Sequence, residues 1–377
     1  MPPVLHLLDG DVGWQERTAL AGLLDRASSD DAAPAIATIA PRALKRIGQT
    51  LGKHPREIEI LGRCDRLPLL SAPAVARGRV AMGDPVVHAW GIRAALAARA
   101  AGATRVVLSL FDPTLARSHA KRIRALAETP GFVAACSCEV VLRRLVEGGV
   151  PPRSAVVVRP SVDFAAINRY RKGTLRSELG VSHGDRLIVL PHPVSRSAGQ
   201  IDAYWAVQVL RVIDGAYLCA VPGWSRQRDR IHRLDRELLG DRALVSVPES
   251  VPFEQLVSVA DVLLLAGHGD TPTTCIAWAM AAETLVVGPA TYSVAELIGS
   301  GLNGLLYKPV RAVSAAPAIM KCLRNEAAHA KLTEVARGHA FEVFAAQRNA
   351  EQYARLYDNL VRGVDPGSHI VDSAVSA

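Results

Sequence analysis

The chain has 377 residues, 49% apolar and 21% charged. That balance excludes a disordered protein, and the length suits two α/β domains that each bury a core. A net charge of +8, from 44 Lys and Arg against 36 Asp and Glu, favours anionic partners. Nucleic acid is set aside: no recognition motif is present, aromatics are only 5%, and the basic residues are spread along helices. No apolar run reaches the roughly 18 residues of a membrane span. Met1-Pro2-Pro3 runs straight into Val4–Leu8 without a basic leader or cleavage site, so a cytoplasmic protein is expected. The six cysteines are scattered; Cys136-Ser137-Cys138 has no second pair or histidine spacing to make a zinc site. Buried free thiols are expected, and no metal.

Short apolar runs alternate with 3.6-period segments, the pattern of βαβ units around a parallel sheet. Val4–Leu8 reads as the first strand, followed by a turn at Gly10-Asp11-Val12-Gly13 and a helix from Glu16 to Arg26. Strands follow at Pro85–His88, Arg105–Leu110 and Phe132–Cys136, with an alanine-rich helix from Ile92 to Ala101 and another ending at Gly148-Gly149. A strand at Ala155–Val158 leads through Arg159-Pro160-Ser161 out of the first domain. After Lys172-Gly173 the alternation restarts, with a strand at Arg186–Leu190 and a helix from Ile201 to Ile213. Later strands fall at Tyr217–Val221, Leu244–Val247, Val262–Leu265 and Thr284–Val287, and Gly288-Pro289 marks a turn. From Ala315 the pattern is helical to about Arg362. The expected organisation is two Rossmann-like domains (1–160 and 161–345), a crossover helix (346–363) and a flexible tail (364–377). Ligands of such sheets bind beyond the carboxyl ends of the strands.

Several segments in order resemble the family 4 glycosyltransferases, retaining enzymes of the GT-B architecture. Phe132 to Asp163 resembles that family's passage of strand, serine, helix, Gly-Val-Pro, strand and Val-Asp into the second domain, and Leu175–Gly180 the helix after it. Val251–Leu256 with Ala260-Asp261-Val262, then Trp278–Ala281, Leu285–Val287, Glu296–Ile298 and Gly301–Leu306, resemble its nucleotide-binding stretch. Gly13–Glu16 is similar to the first glycine-rich loop and Val86–Gly91 to a strand end at the reaction centre. The likeness runs from about Val4 to Arg362. It implies two Rossmann-like domains facing a cleft, a C-terminal helix crossing back, and transfer of a sugar from a nucleoside diphosphate with retention. It implies no metal and no cofactor beyond the nucleotide sugar, with a glycan or lipid-linked acceptor. Chemistry is a separate question from fold.

Residue by residue, the resemblance implies a donor site with degenerate motifs. Gly13 would bring a backbone amide to the donor diphosphate, although such a glycine equally makes an ordinary βα turn. His88 stands first in the family's H-x-H pair, where Trp90 replaces the second histidine; indole has no acceptor and is no general base. On a buried strand, His88 is more often a satisfied core histidine. In the loop after Leu190, the family's phosphate-binding arginine and lysine correspond to His192 and Ala198, with Arg196 between them able to make a bidentate contact. Asp270 matches the first glutamate of the E-x7-E region and Trp278 the second. Thr273 and Thr274 head the next helix, where they serve either a phosphate or the helix cap. Glu296 would meet the ribose or the acceptor, or simply sit at a helix start. Trp90 and Trp278 remain as surfaces for stacking on sugar or base. The basic stretch from Arg42 to Arg63 suits either solvent or peripheral contact with an anionic membrane. Both a transferase and a non-catalytic binding module therefore remain open, and His88 and Asp270 are the only, weak, candidates for catalysis.

Overall fold

The computed structural model of the chain describes residues 2–10, 13–27, 35–40, 58–61, 68–191, 199–222, 226–239, 243–266 and 273–364. The chain divides into two compact units, Met1–Val162 with Ala346–Ala377, and Asp163–Ala345.

The first unit holds β1 (Val4–Leu8), α1 (Trp14–Ala27), β2 (Ala35–Thr38), β3 (Ile58–Ile60), α2 (Ala72–Ala81), β4 (Val86–Trp90), α3 (Ile92–Ala100), β5 (Val106–Leu110), α4 (Pro113–Ala127), β6 (Phe132–Cys136), α5 (Glu139–Glu147) and β7 (Ala155–Val157). The strands form one parallel sheet in the order β3-β2-β1-β4-β5-β6-β7. β1, β4, β5 and β6 are buried along their whole length, as near-continuous apolar runs must be when both sheet faces are covered. Side chains alternate between the faces. Leu5, Leu7, Val87, Ala89, Val106 and Leu108 pack with Val75, Ala94, Ile123 and Val141 of α2 to α5. Val4, Leu8, Val86, Trp90 and Val107 pack with Leu20 and Leu24 of α1.

The second unit holds α6 (Phe164–Arg171), α7 (Leu175–Glu178), β8 (Arg186–Val189), α8 (Gln200–Ile213), β9 (Tyr217–Ala220), α9 (Arg226–Leu239), β10 (Leu244–Val245), α10 (Phe253–Val257), β11 (Val262–Leu264), α11 (Thr273–Ala281), β12 (Leu285–Pro289), α12 (Tyr292–Ala295), β13 (Leu305–Tyr307), α13 (Ala316–Arg324) and α14 (Glu326–Phe344). Its sheet is also parallel, in the order β10-β9-β8-β11-β12-β13. α15 (Ala346–Arg362) then returns to the first unit and packs Tyr353, Leu356, Tyr357 and Leu360 onto the α1 face of its sheet. Both units are Rossmann-like. The sequence reading had no strand at β2, β3 or β13, which are only three or four residues long; so short a run carries no clear period.

Under α15 the apolar face is interrupted by a row of polar side chains. His6 pairs with His88 and His88 with Val107 across β1, β4 and β5, so alternation brings His6, His88 and Ser109 to one face. Tyr353 and Tyr357, one helical turn apart, cover that row. His88 Nδ1 lies 2.6 Å from the Tyr357 hydroxyl and Nε2 lies 2.8 Å from Ser109 Oγ, which is 2.6 Å from the Tyr353 hydroxyl. Trp90 Nε1 donates to His6 Nδ1 at 3.1 Å. His88 is fully buried, and burial, then the neighbouring His6, hold its pKa well below 6.5. A neutral ring supplies one donor and one acceptor, enough for both bonds.

Removing one member strands its partner, so Tyr357→Phe should destabilise the first unit by about 1–3 kcal/mol in denaturant unfolding. Because His88 is less basic folded than unfolded, its contribution is full above about pH 6.5 and declines as pH falls toward the folded pKa. Stability of the native chain should drop on acidification below that point, and His88→Leu should flatten the dependence.

Candidate functional site

In the second unit the chain runs from β8 to β10 toward one edge of the sheet and from β11 to β13 toward the other. Right-handed crossovers then send α8 and α11 to opposite faces, and the carboxyl ends of the paired strands β8 and β11 flank a switch point. Three helices begin along this edge. Gln200 opens α8 behind Gly199, whose φ of 64° places it in the left-handed region and which carries no side-chain cap. Thr273 opens α11, and Thr291 precedes α12 without capping it.

Each of these three residues has a buried polar atom with no hydrogen-bond partner among the described residues: Gln200 Oε1, Thr273 Oγ1 and Thr291 Oγ1. Gln200 is anchored at its other end, where Nε2 donates to the Pro191 carbonyl at 2.5 Å. Native structures seldom leave such groups unpaired, because each costs about 1–3 kcal/mol. The three lie along the carboxyl edge of β8, β11 and β12, two of them at N-termini of longer helices, where the helix dipole favours anions.

Of the expected donor residues, Thr273 and Thr274 lie at this edge, both buried. Glu296, part-buried, follows α12 from the end of β12, beside β11. His192, Arg196 and Asp270 fall outside the described residues, as do Ala198 and the basic stretch 42–57 and 62–63. Trp278 lies on α11 but is 4% exposed, and its Nε1 has no partner among the described residues. The ring is thus enclosed, with its N–H left without a partner among the described residues. Gln200 and Thr291 were not singled out in the sequence; Gly199-Gln200 after a buried strand was the available signal.

The first unit has its own switch point, between β1 and β4, and its groups satisfy one another. A Cβ on Gly91 (φ 120°) would lie 2.0 Å from Asp9 Oδ2, so only glycine fits against that carboxylate. Asp9 in turn accepts from the Arg93 amide at 3.2 Å, capping α3 in place of a side chain that Gly91 lacks. Glu16 accepts from the Gly13 amide at 2.9 Å, the reach-back half of a capping box. The Gly13 amide expected at a phosphate is thus given to Glu16. Burial, and more weakly the charges of Asp9 and Asp112, push the Glu16 carboxyl up to about 7. His88 has both nitrogens engaged, and Trp90 is fully buried and stacked on His88 at 4.2 Å.

Among the described residues no group of His, Cys, Asp and Glu is arranged to hold a metal, and no helix is long and apolar enough to cross a membrane. The described cysteines form no disulfide, and burial raises the thiol pKa of Cys136, Cys219, Cys275 and Cys322, that of Cys275 to about 12.

With two Rossmann-like units and a helix returning from the end of the second to the first, the chain has the GT-B fold. Among solved structures it is similar to Anabaena HepE in complex with UDP and glucose, at 18% identity and a TM-score of 0.78 over 95% of this chain and 100% of that one. It is also similar to sucrose-phosphate synthase of Thermosynechococcus elongatus, at 16% identity and a TM-score of 0.72 over 96% and 99%. Among curated proteins it is 23% identical over 198 residues to N-acetyl-alpha-D-glucosaminyl L-malate synthase of Bacillus anthracis. That match spans 50% of this chain and 49% of the relative, so the chain spans about half of that protein's length. No family model matches the chain.

The Glu16 cap makes a prediction in the direction opposite to His88. Its folded pKa of about 7 lies above its ordinary 4.5, so its contribution to stability is full below pH 4.5 and is lost as pH rises through 7. Glu16→Gln keeps an acceptor for the Gly13 amide without the charge. It should therefore match the native chain in acid and exceed it above pH 7, by a few kcal/mol at most at about 1.4 kcal/mol per pKa unit. Paired denaturant titrations at pH 4.5 and 8 measure this.

Proposed function

We propose that the chain is a glycosyltransferase that takes a sugar from a nucleoside diphosphate bound at the β8–β11 edge and passes it, with retention, to an acceptor hydroxyl held by the first unit. The observation that carries this reading is that Gln200 Oε1, Thr273 Oγ1 and Thr291 Oγ1, buried and without partners among the described residues, follow the carboxyl ends of β8, β11 and β12 at the switch-point edge. The likeness to a protein solved with UDP and glucose supports it. Helix N-terminal amides and Thr273 would take the phosphates, with Arg196 and His192 adding positive charge. Asp270 and Glu296 would accept hydrogen bonds from sugar or ribose hydroxyls, and Thr274 would support the phosphate end of α11. Donors fixed at the leaving diphosphate stabilise its growing charge without reorganising, which is the largest electrostatic need of such a transfer. No metal enters this scheme.

A second reading, a nucleotide-sugar binder without turnover, is favoured by the enclosure of His88 and by Trp278 standing where the resembling family has a carboxylate. A thermal-shift panel of nucleotide sugars, followed by a product assay with the best ligand, separates the two, since a ligand of the native state alone raises its stability by mass action. Thr273→Val should weaken nucleoside diphosphate binding by about ten- to a hundredfold, the loss of one hydrogen bond to a charged group. Unchanged affinity would remove α11 from the site. Trp278→Phe removes the unpaired N–H together with part of the buried ring, so its affinity is read beside its stability. Lower affinity in that variant with intact stability assigns the indole N–H to the ligand.

A further inference from the structure

On the second unit, α8 turns an apolar strip outward instead of into the core. Trp205, Val209, Val212 and Ile213 recur at helical spacing on one side and are all exposed, Val212 to 89%. Trp205 and Val209 line a shallow groove with Arg311, Val313 and Ser314 from the segment before α13, and the exposed Val310 stands beside it. The inner side of the same helix, through Ala203, Tyr204, Ala206, Val207 and Leu210, supplies the core, so the outer strip is additional to what folding needs.

The elements on either side of the strip are basic. From Lys308 to Arg324 the chain carries Lys308, Arg311, Lys321 and Arg324 with no acidic residue between them, and all four are exposed. α9, packed along the other side of α8, carries five arginines against Asp229, Asp235 and Glu237. Asp235 is turned inward, accepting from the Tyr204 hydroxyl at 3.0 Å and the Leu244 amide at 3.3 Å. The acids of α8 and its end are similarly committed. Asp202 accepts from the Ala312 amide and pairs with Arg311 at 3.6 Å, and Asp214 accepts from the Ala216 amide.

An exposed apolar ridge with an indole at its margin, between two positive banks, complements a bilayer whose interface is apolar below and anionic above. We propose that this α8 face is a peripheral docking surface for anionic lipid membrane. Val212, Ile213, Val209 and Trp205 enter the acyl boundary, and Lys308 and Arg324 meet the phosphate headgroups. The surface is independent of the glycosyl-transfer reading and uses none of the residues placed at the β8–β11 edge.

Co-sedimentation with vesicles of phosphatidylcholine alone and of phosphatidylcholine with phosphatidylglycerol tests it. The native chain should bind the mixed vesicles, release them as salt rises, and leave the neutral ones unbound. Val212→Glu, at an exposed position that packs no core, and the separate pair Lys308→Gln with Arg324→Gln should each weaken binding about tenfold or more, with circular dichroism melts unchanged. The proposal is overturned if the native chain ignores the mixed vesicles at low salt, or if both variants bind them as the native chain does. It is equally overturned if light scattering shows a dimer that Val212→Glu converts to monomer, since a second copy then covers the face.

Discussion

Reversal of strand order within a right-handed parallel sheet is the constraint on which both units depend. Wherever the chain changes direction across such a sheet, two adjacent strands must send their helices to opposite faces, and the loops at their carboxyl ends part. Each unit reverses once, at β1–β4 and at β8–β11. The same geometry is completed in different ways. In the first unit Asp9 fits against Gly91 and caps α3, while Glu16 occupies the Gly13 amide. In the second unit Gln200, Thr273 and Thr291 keep polar atoms without partners among the described residues. Among the described residues the first edge pairs its donors and acceptors with one another, and the second leaves three polar atoms without partners.

The polar row under α15 shows how far a strand's side-chain period reaches. Once His88 shares a sheet face with His6 and Ser109, it lies under the return helix, and only hydroxyls at matched positions make its burial tolerable. Tyr353 and Tyr357 supply them at an i, i+4 spacing. A histidine in that place is held neutral by its surroundings, which suits packing and not proton transfer.

Parallel-sheet strands were legible because both-face burial writes them as nearly continuous apolar runs, as in Val4–Leu8, broken only by His6, and Phe132–Cys136. The return of α15 was expected from the family resemblance, the local pattern showing only a long helical stretch from Ala315 to about Arg362. Edge strands such as Ile58–Ile60 were not legible, being too short to carry a period. Side-chain pairing was also hidden. Nothing local in Gly13-Trp14-Gln15-Glu16 distinguishes a phosphate-binding amide from a capping box, since the two use the same N–H. The bond from His88 to Tyr357 joins residues 269 positions apart, beyond any local pattern. Thr273 was singled out in the stretch that resembles the family's E-x7-E region, at the head of a helix, whereas the placing of Gln200 and Thr291 at the same sheet edge required knowing which strands are neighbours.

That long-range bond also orders events during synthesis. The ribosome emits the chain from its amino end, and domains ordinarily fold in that order. Here the second unit is continuous, from Asp163 to Ala345, while the first needs Ala346 onward. The histidine, serine and apolar side chains of one sheet face must wait, uncovered, through the translation of nearly two hundred intervening residues. The part made first is therefore finished last, and in the interval its exposed face is the surface that a chaperone would meet.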